Sequence, residues 1–258
     1  MEQYSHLQLR EVFHLEFLRW FGRKVKAENY AVKGGTNLRF FFKSFRYSED
    51  LDLDIRIVPV FELKEKVMNI LLSPAFRDNL RPFGITGITA PDISKAKQTE
   101  TTQRFKVHLT AFQGEDLFTK IEFSRRSFQG GNVVGAVDDG ILRAYKASPL
   151  LVSHYGINEA VSQKLNALAS RTLVQARDIF DLYVLSPQFT LAEKRLKNVD
   201  AAILKKAGKR VFEVEFGEFR DAVVAYLSNE DRSVYNKQRS WEEIQLKVSD
   251  FIEEVSRA

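Results

Sequence analysis

The stretch Asp50-Leu51-Asp52-Leu53-Asp54-Ile55-Arg56-Ile57 alternates charged and aliphatic side chains without a break. A period of two matches a β-strand, whose successive side chains point to opposite faces, and does not match a helix. The chain must therefore build a sheet that buries Leu51, Leu53, Ile55 and Ile57 on one face and carries Asp50, Asp52 and Asp54 on the other. Aspartate is a poor strand former, and carboxylates held this close repel one another. A divalent cation usually neutralises such a cluster. Oxygen donors alone suit Mg²⁺ or Mn²⁺, and Mg²⁺ keeps waters and substrate phosphates in its remaining positions. The competing reading is an edge strand with a polar outer face, which three aspartates in five strand residues disfavour.

A glycine pair stands upstream, in Lys33-Gly34-Gly35-Thr36-Asn37-Leu38-Arg39. Tyr30-Ala31-Val32 reads as a short strand, and Thr36 as the cap of a helix running through Asn37 to about Phe45. Gly34 and Gly35 then fall between strand and helix, where free N–H groups and the helix dipole can meet a phosphate, although glycine pairs also make ordinary turns. Lys120-Ile121-Glu122-Phe123-Ser124-Arg125-Arg126 again alternates as a strand. Beside the Asp50 strand, Glu122 would complete a carboxylate trio able to hold two cations; elsewhere it is an exposed strand residue. Arg125 and Arg126 either meet a triphosphate or flank a turn. In the second half, Asp178 and Asp181 share a helix face with Leu182 and Leu185, so a carboxylate there borders buried surface and needs a partner. Lys164, beside Leu165 and Leu168 on the preceding helix, is the expected partner of Asp178, as a structural ion pair or as a lysine that also reaches a nucleotide phosphate. His6, His14, His108 and His154 have no spacing suited to a shared metal.

Helical spacing is expected over residues 6–25 and 61–77, strand alternation over 104–112 and 117–124, and a surface loop over Ser127 to Gly135. From about residue 150 the pattern turns helical, with helices expected at 153–185, 191–207 and 241–255. This predicts a mixed α/β domain over residues 1–150 followed by an α-helical domain over 151–258. The 258 residues include no cysteine, which excludes disulfides, thiolate metal sites and cysteine nucleophiles. No apolar run approaches the roughly 20 residues of a membrane span. The N-terminal residues lack a signal-peptide pattern, so a cytoplasmic location is expected. Residues 191–210 carry seven basic and two acidic side chains, and residues 211–258 six and eleven. That contrast marks a polyanion site beside an acidic region, or two solvated helix faces that pair.

Taken in order, Lys33-Gly34-Gly35-Thr36, Ser48-x-Asp50-x-Asp52, Lys120-Ile121-Glu122 and Lys164 with Arg177-Asp178 resemble the AbiEii/AbiGii toxin family of nucleotidyltransferases, over roughly residues 25–185. The resemblance implies an α+β fold, with a polymerase-β-like nucleotidyltransferase domain and a helical domain after it. It implies the toxin of a type IV toxin–antitoxin or phage-defence (abortive infection) pair, transferring a nucleoside monophosphate from an NTP to an RNA, a tRNA 3′ end among the candidates, or to another hydroxyl. On this reading Gly34, Gly35 and Thr36 sit at the nucleotide phosphates with Ser48 close by. Asp50 and Asp52 bind Mg²⁺ or Mn²⁺, and Glu122 is a third ligand where many such enzymes use aspartate. Lys164 and Asp178 match the family's distal catalytic lysine and aspartate. Asp54 permits a shifted pair, Asp52 and Asp54, but Ser48 favours Asp50 and Asp52. A cognate antitoxin is an expected partner. Lys194, Arg195, Lys197, Lys205, Lys206, Lys209 and Arg210 become an expected acceptor-binding surface. The alternative is a non-catalytic module that binds nucleotide or RNA on the same fold.

Overall fold

A computed structural model describes residues 4–94, 96–112, 114–126, 128, 130–190, 196 and 198–257. The chain forms two units, Met1–Phe41 with Tyr47–Tyr155, and Phe42–Arg46 with Gly156–Ala258. The first unit begins with α1 (His6–Phe21), opened by a reciprocal cap: the Gln8 N–H donates to the Ser5 hydroxyl, and the Ser5 N–H to the Gln8 side chain. It continues through β1 (Tyr30–Lys33), α2 (Gly34–Phe41), β2 (Asp50–Ile55), α3 (Val60–Leu71), α4 (Pro74–Leu80), β3 (Ile85–Thr89), β4 (Thr102–Ala111), β5 (Asp116–Ser124), β6 (Asn132–Ala136), α5 (Asp139–Ala144) and β7 (Leu151–Tyr155).

The seven strands make one mixed sheet in the order β3-β4-β5-β2-β1-β7-β6. The Asp-rich strand β2 is therefore its middle strand, antiparallel to β1 and parallel to β5. Leu51, Leu53 and Ile55 are fully buried in one cluster with Phe105, Val107, Ile121 and Phe123 of the neighbouring strands and with α1, α3 and α4, whereas Ile57, expected on the same face, lies past the end of β2 and is 79% exposed. Phe13 meets Phe76 at 6.0 Å and Phe21 meets Phe123 at 5.3 Å between ring centroids, tying α1 to α4 and to the sheet. Each buried phenylalanine contributes about 1.5–3 kcal/mol of transfer free energy, which makes this face the main stabilising layer of the unit.

Several expected boundaries move. The helix expected over 61–77 is two helices, because Pro74 cannot continue α3; it occupies the first turn of α4, capped by Ser73. The loop expected near 127–135 holds strand β6, which exists through its antiparallel pairing with β7. Residues 153–155, expected as the start of a helix, end strand β7, so the sheet runs past residue 150. Helix α2 begins at Gly34 and ends at Phe41, shorter than expected at its C-terminal end, and Thr36 lies inside its first turn instead of capping it.

The second unit is built from α6 (Ile157–Ser170), α7 (Ala176–Leu185), α8 (Ala201–Arg210), α9 (Phe216–Ala222), α10 (Asn229–Tyr235) and α11 (Gln238–Arg257). Trp241 of α11 stacks on Phe219 of α9 at 4.3 Å and donates its indole N–H to the Val214 carbonyl. Of the helix expected over 191–207, residues 191–195 and 197 lie outside the described residues, and Asp200 starts α8 by accepting the Ile203 N–H. Lys194, Arg195 and Lys197 are thus outside the described residues. Lys205, Lys206 and Lys209 are exposed. Arg210 is not part of a free basic patch: its guanidinium donates to the carbonyls of Leu168, Ala169, Arg171 and Thr172, closing the C-terminal end of α6. Among the described residues no helix is long and apolar enough to cross a membrane.

Candidate active site

The parallel pairing of β2 with β5 sets Asp52 opposite Glu122 and Asp50 opposite Lys120. The neighbour relation on which Glu122 depended is therefore present, and Asp50, Asp52 and Glu122 share the sheet face turned away from the apolar layer. Their surroundings differ. Asp50 is ion-paired to Lys120 at 3.0 Å. Glu122 accepts from Arg104 of β4 at 2.7 Å, with Lys120 at 3.7 Å. Asp52 has no ion pair or hydrogen bond among the described residues, and its carboxyl holds its proton above the ordinary range. Burial is the main cause, and the negative charges of Asp50 and Glu122 add to it against Lys120 and Lys33.

Asp54 belongs to the same strand but not to this group. It is fully buried, with the Lys33 ammonium at 2.5 Å and the Tyr155 hydroxyl donating at 2.7 Å. Its charge is met within the fold, which leaves Asp52 as the β2 carboxylate with no ion pair or hydrogen bond among the described residues.

Two hydroxyls that the sequence associates with phosphate hold the backbone beneath these carboxylates. Both Thr36 and Ser48 donate to the carbonyl of Asp50, at 2.8 and 2.9 Å. One residue earlier, Thr119 of β5 donates to the Glu49 carbonyl at 2.7 Å and is itself in contact with His14 Nε2 at 2.7 Å. Since the threonine proton goes to Glu49, His14 must donate from Nε2. That matches a neutral ring, whose pKa is pushed down to about 3 by burial first and Arg10 second. This support, which spacing along the sequence does not reveal, pins the first residues of β2.

Gly34 opens α2 with φ +68°, and a Cβ there would stand 3.1 Å from Asp52 Oδ2. Only glycine brings the first turn of α2, with its unpaired N–H groups, this close to the carboxylate. Asp52 and the start of α2 thus stand together as an acidic group beside an anion-attracting helix end. A divalent cation would suit such a place, because the donors are all oxygen and the helix start favours a phosphate beside it. Among the described residues no three carboxylate or imidazole groups are close enough to enclose a metal unaided. A cation here would complete its shell with substrate oxygens and water, as Mg²⁺ does.

Lys164 and Asp178 lie in the helical unit and do meet, at 3.0 Å, within a larger cluster. Lys164 also contacts Asp181 at 2.6 Å, Arg171 reaches Asp178 at 2.7 Å, and Arg46 reaches Asp181 at 3.4 Å. Burial opposes the charge of Lys164, but Asp181 and Asp178 outweigh it and hold the ammonium above its usual range. Burial likewise opposes the Asp181 carboxylate, and Lys164 and Arg46 outweigh it, holding its pKa low. Arg46 and Arg171 went unassigned in the sequence because nothing in their spacing ties them to these aspartates.

Residues 16–252 match the family model described as nucleotidyl transferase AbiEii toxin, type IV TA system. No curated protein matches the sequence. Among solved structures, JHP933 from Helicobacter pylori is similar with a TM-score of 0.58 at 16% identity, over 99% of this chain and 94% of that one. MenT4, the nucleotidyltransferase toxin Rv2826c from Mycobacterium tuberculosis H37Rv, is similar with a TM-score of 0.59 at 18% identity, over 96% and 84%. A putative nucleotidyltransferase from H. pylori gives 0.53 at 17% identity, over 96% and 95%. At such identities these likenesses establish the α+β fold. The family match spans nearly all of the chain, and the protein belongs to the AbiEii nucleotidyltransferase toxin family of type IV toxin–antitoxin systems.

Proposed function

We propose that the chain is a Mg²⁺- or Mn²⁺-dependent nucleotidyltransferase that moves a nucleoside monophosphate from an NTP to a hydroxyl at an RNA end, a tRNA 3′ end included, and that a cognate antitoxin opposes it in the cytoplasm. The observation that carries this reading is Asp52: a carboxylate with no ion pair or hydrogen bond among the described residues, crowded by Asp50 and Glu122, against the glycine start of α2.

In this reading Asp50 and Asp52 would hold the metal, Glu122, held by Arg104, would add negative charge beside them, and Gly34 and Gly35 present N–H groups to the triphosphate. Bound there, a divalent cation would neutralise the triphosphate and stabilise charge on the attacking and leaving oxygens. Thr36 and Ser48 act through the Asp50 carbonyl, fixing the strand that carries both aspartates. The acceptor oxygen bonds to the α-phosphorus as the bond from that phosphorus to the α–β bridging oxygen breaks. Pyrophosphate leaves with the electron pair, and the hydroxyl proton passes to the carboxylate cluster and then to water. Lys164 and Asp178, which the family resemblance implies as distal catalytic residues, act instead as a buried structural pair within the helical unit.

The test supplies α-labelled NTPs, Mg²⁺ and total RNA to the wild type and to Asp50→Ala. Label in RNA that disappears in the folded variant supports the proposal. A variant that still transfers and stays toxic removes Asp50 from the site. No label in RNA, protein or small molecules across several metals leaves only a binding module.

A further inference from the structure

Strands β4 and β5 bury one face and leave the other open. In register across the open face stand His108 with Phe118, Lys106 with Lys120, and Arg104 with Glu122. The parallel neighbour β2 extends the last two rows to Asp50 and Asp52. The rows are about 6.6 Å apart, two residues along a strand, a stride comparable to the phosphate spacing of an extended single-stranded nucleic acid.

Two features of this face have no use in the folded chain alone. Phe118 is 56% exposed in mid-strand, with the His108 ring beside it at 4.0 Å. Asp116 holds His108 through Nδ1 at 3.0 Å, orienting that ring. Next to this aromatic pair, Lys106 and Lys120 stand directly opposite each other, a like-charge pairing that weakens a sheet. Lys120 leans toward Asp50 and Glu122, whereas Lys106 is exposed and has no ion pair among the described residues. An exposed aromatic surface beside a free lysine offers the two contacts a single strand needs, a ring for a base and a cation for a phosphate. An acidic protein surface would use the lysine and leave the rings idle.

We propose that the β4–β5 face is the acceptor track. A single-stranded RNA end lies across it with a base stacked on Phe118 and His108 and a phosphate at Lys106, so that the terminal hydroxyl arrives at Asp50 and Asp52 along the adjoining rows. This rests on the RNA-acceptor reading above and adds to it the surface that recognises the RNA.

The test measures, for the full chain and for Phe118→Ala and Lys106→Glu, the Kd of a short fluorescent single-stranded RNA, the KM for RNA, kcat at saturating RNA, and the Kd of a non-reactive NTP analogue with Mg²⁺. Loss of one stacked base predicts an RNA Kd and KM raised roughly 5- to 100-fold in Phe118→Ala, with kcat, NTP affinity and melting temperature unchanged. Phe118→Trp should restore RNA affinity, which a merely structural role would not require. A wild type that binds RNA while both variants bind it equally well overturns the acceptor track and leaves the RNA reading standing. A wild type that transfers nucleotide but does not bind RNA overturns both. Variants that lose a purified antitoxin while keeping RNA affinity mark the face as a protein-docking surface and overturn the proposal.

Discussion

In the helical unit Lys164, Arg46 and Arg171 face Asp178 and Asp181, three cations to two carboxylates. In the sheet Asp50, Asp52 and Glu122 face Lys120 and Arg104, three carboxylates to two cations. Both clusters pack charge into partly or fully buried surroundings, yet they respond in opposite ways. Asp181 is held more acidic than usual because Lys164 and Arg46 overcome its burial, while Asp52 is held less acidic because burial is reinforced by its neighbours. A buried carboxylate that is matched internally adds to the fold's specificity, and one left unmatched keeps capacity for a charge from outside. The sign of the imbalance therefore separates a structural cluster from a candidate catalytic one, although both are made of the same residue types.

The largest expected effect is on activity. Asp52→Asn should reduce nucleotide transfer by about 10²- to 10³-fold, in line with removal of a group that stabilises transition-state charge. Its melting temperature without metal at neutral pH should equal or exceed that of the wild type, because a crowded charge is gone. A clear loss of stability would break the comparison by making Asp52 a structural residue.

Lys164→Met should do the reverse. Removing the ammonium takes from both buried carboxylates the partner they share, leaving Asp181 only the 3.4 Å contact of Arg46 and Asp178 only Arg171, at a cost of about 3–5 kcal/mol of stability in denaturant unfolding. Activity should fall only with the folded fraction. A stable Lys164→Met variant with lost turnover would assign the lysine to the chemistry itself.

Acid should separate the two regions without mutation. His14 is neutral in the folded state, with a pKa of about 3 against 6.5 when unfolded, so the unfolded chain gains the proton first. The first unit should lose up to about 1.4 kcal/mol per pH unit through this histidine as pH falls below 6.5. Asp181 has a lowered pKa, so its contribution stays intact until pH falls below its ordinary 3.8. Hydrogen exchange resolved along the chain should therefore show protection falling first around α1, β2 and β5. Uniform loss in both units would contradict the burial argument.

A smaller effect is expected at the support of β2. Thr119→Val leaves the Glu49 carbonyl and His14 without their shared partner and should cost about 1–3 kcal/mol. Turnover should drop while NTP affinity stays close to wild type.

Much of the site was legible in the sequence where chemistry and spacing were local. The alternation of aspartate with leucine required β2 and its two faces, whereas Gly34-Gly35, expected between strand and helix, form the first turn of α2 directly after β1. Lys164 with Asp178 was legible because each lies on an apolar helix face where a charge requires company. What was not legible depended on distant partners. Asp54 resembles Asp50 and Asp52 in sequence and differs only because Lys33 and Tyr155 close over it. Strand β6 carries glycines and polar residues around it, and β7 looks like the start of the following helix; each is a strand because the other pairs with it. Arg210 belongs to a basic run by composition but caps α6 by position.

The sequence by itself determined the period of the main elements other than β6 and β7, the oxygen-only character of the candidate site and the absence of thiol chemistry, because these follow from side-chain type and from neighbours a few residues away. Only the tertiary structure decided that Glu122 lies beside Asp52, that Asp54 is neutralised internally and that Asp52 is not. The physical reason is that strand order and long-range ion pairing set the local dielectric and charge balance, and these, more than residue identity, decide which carboxylate remains available to a cation.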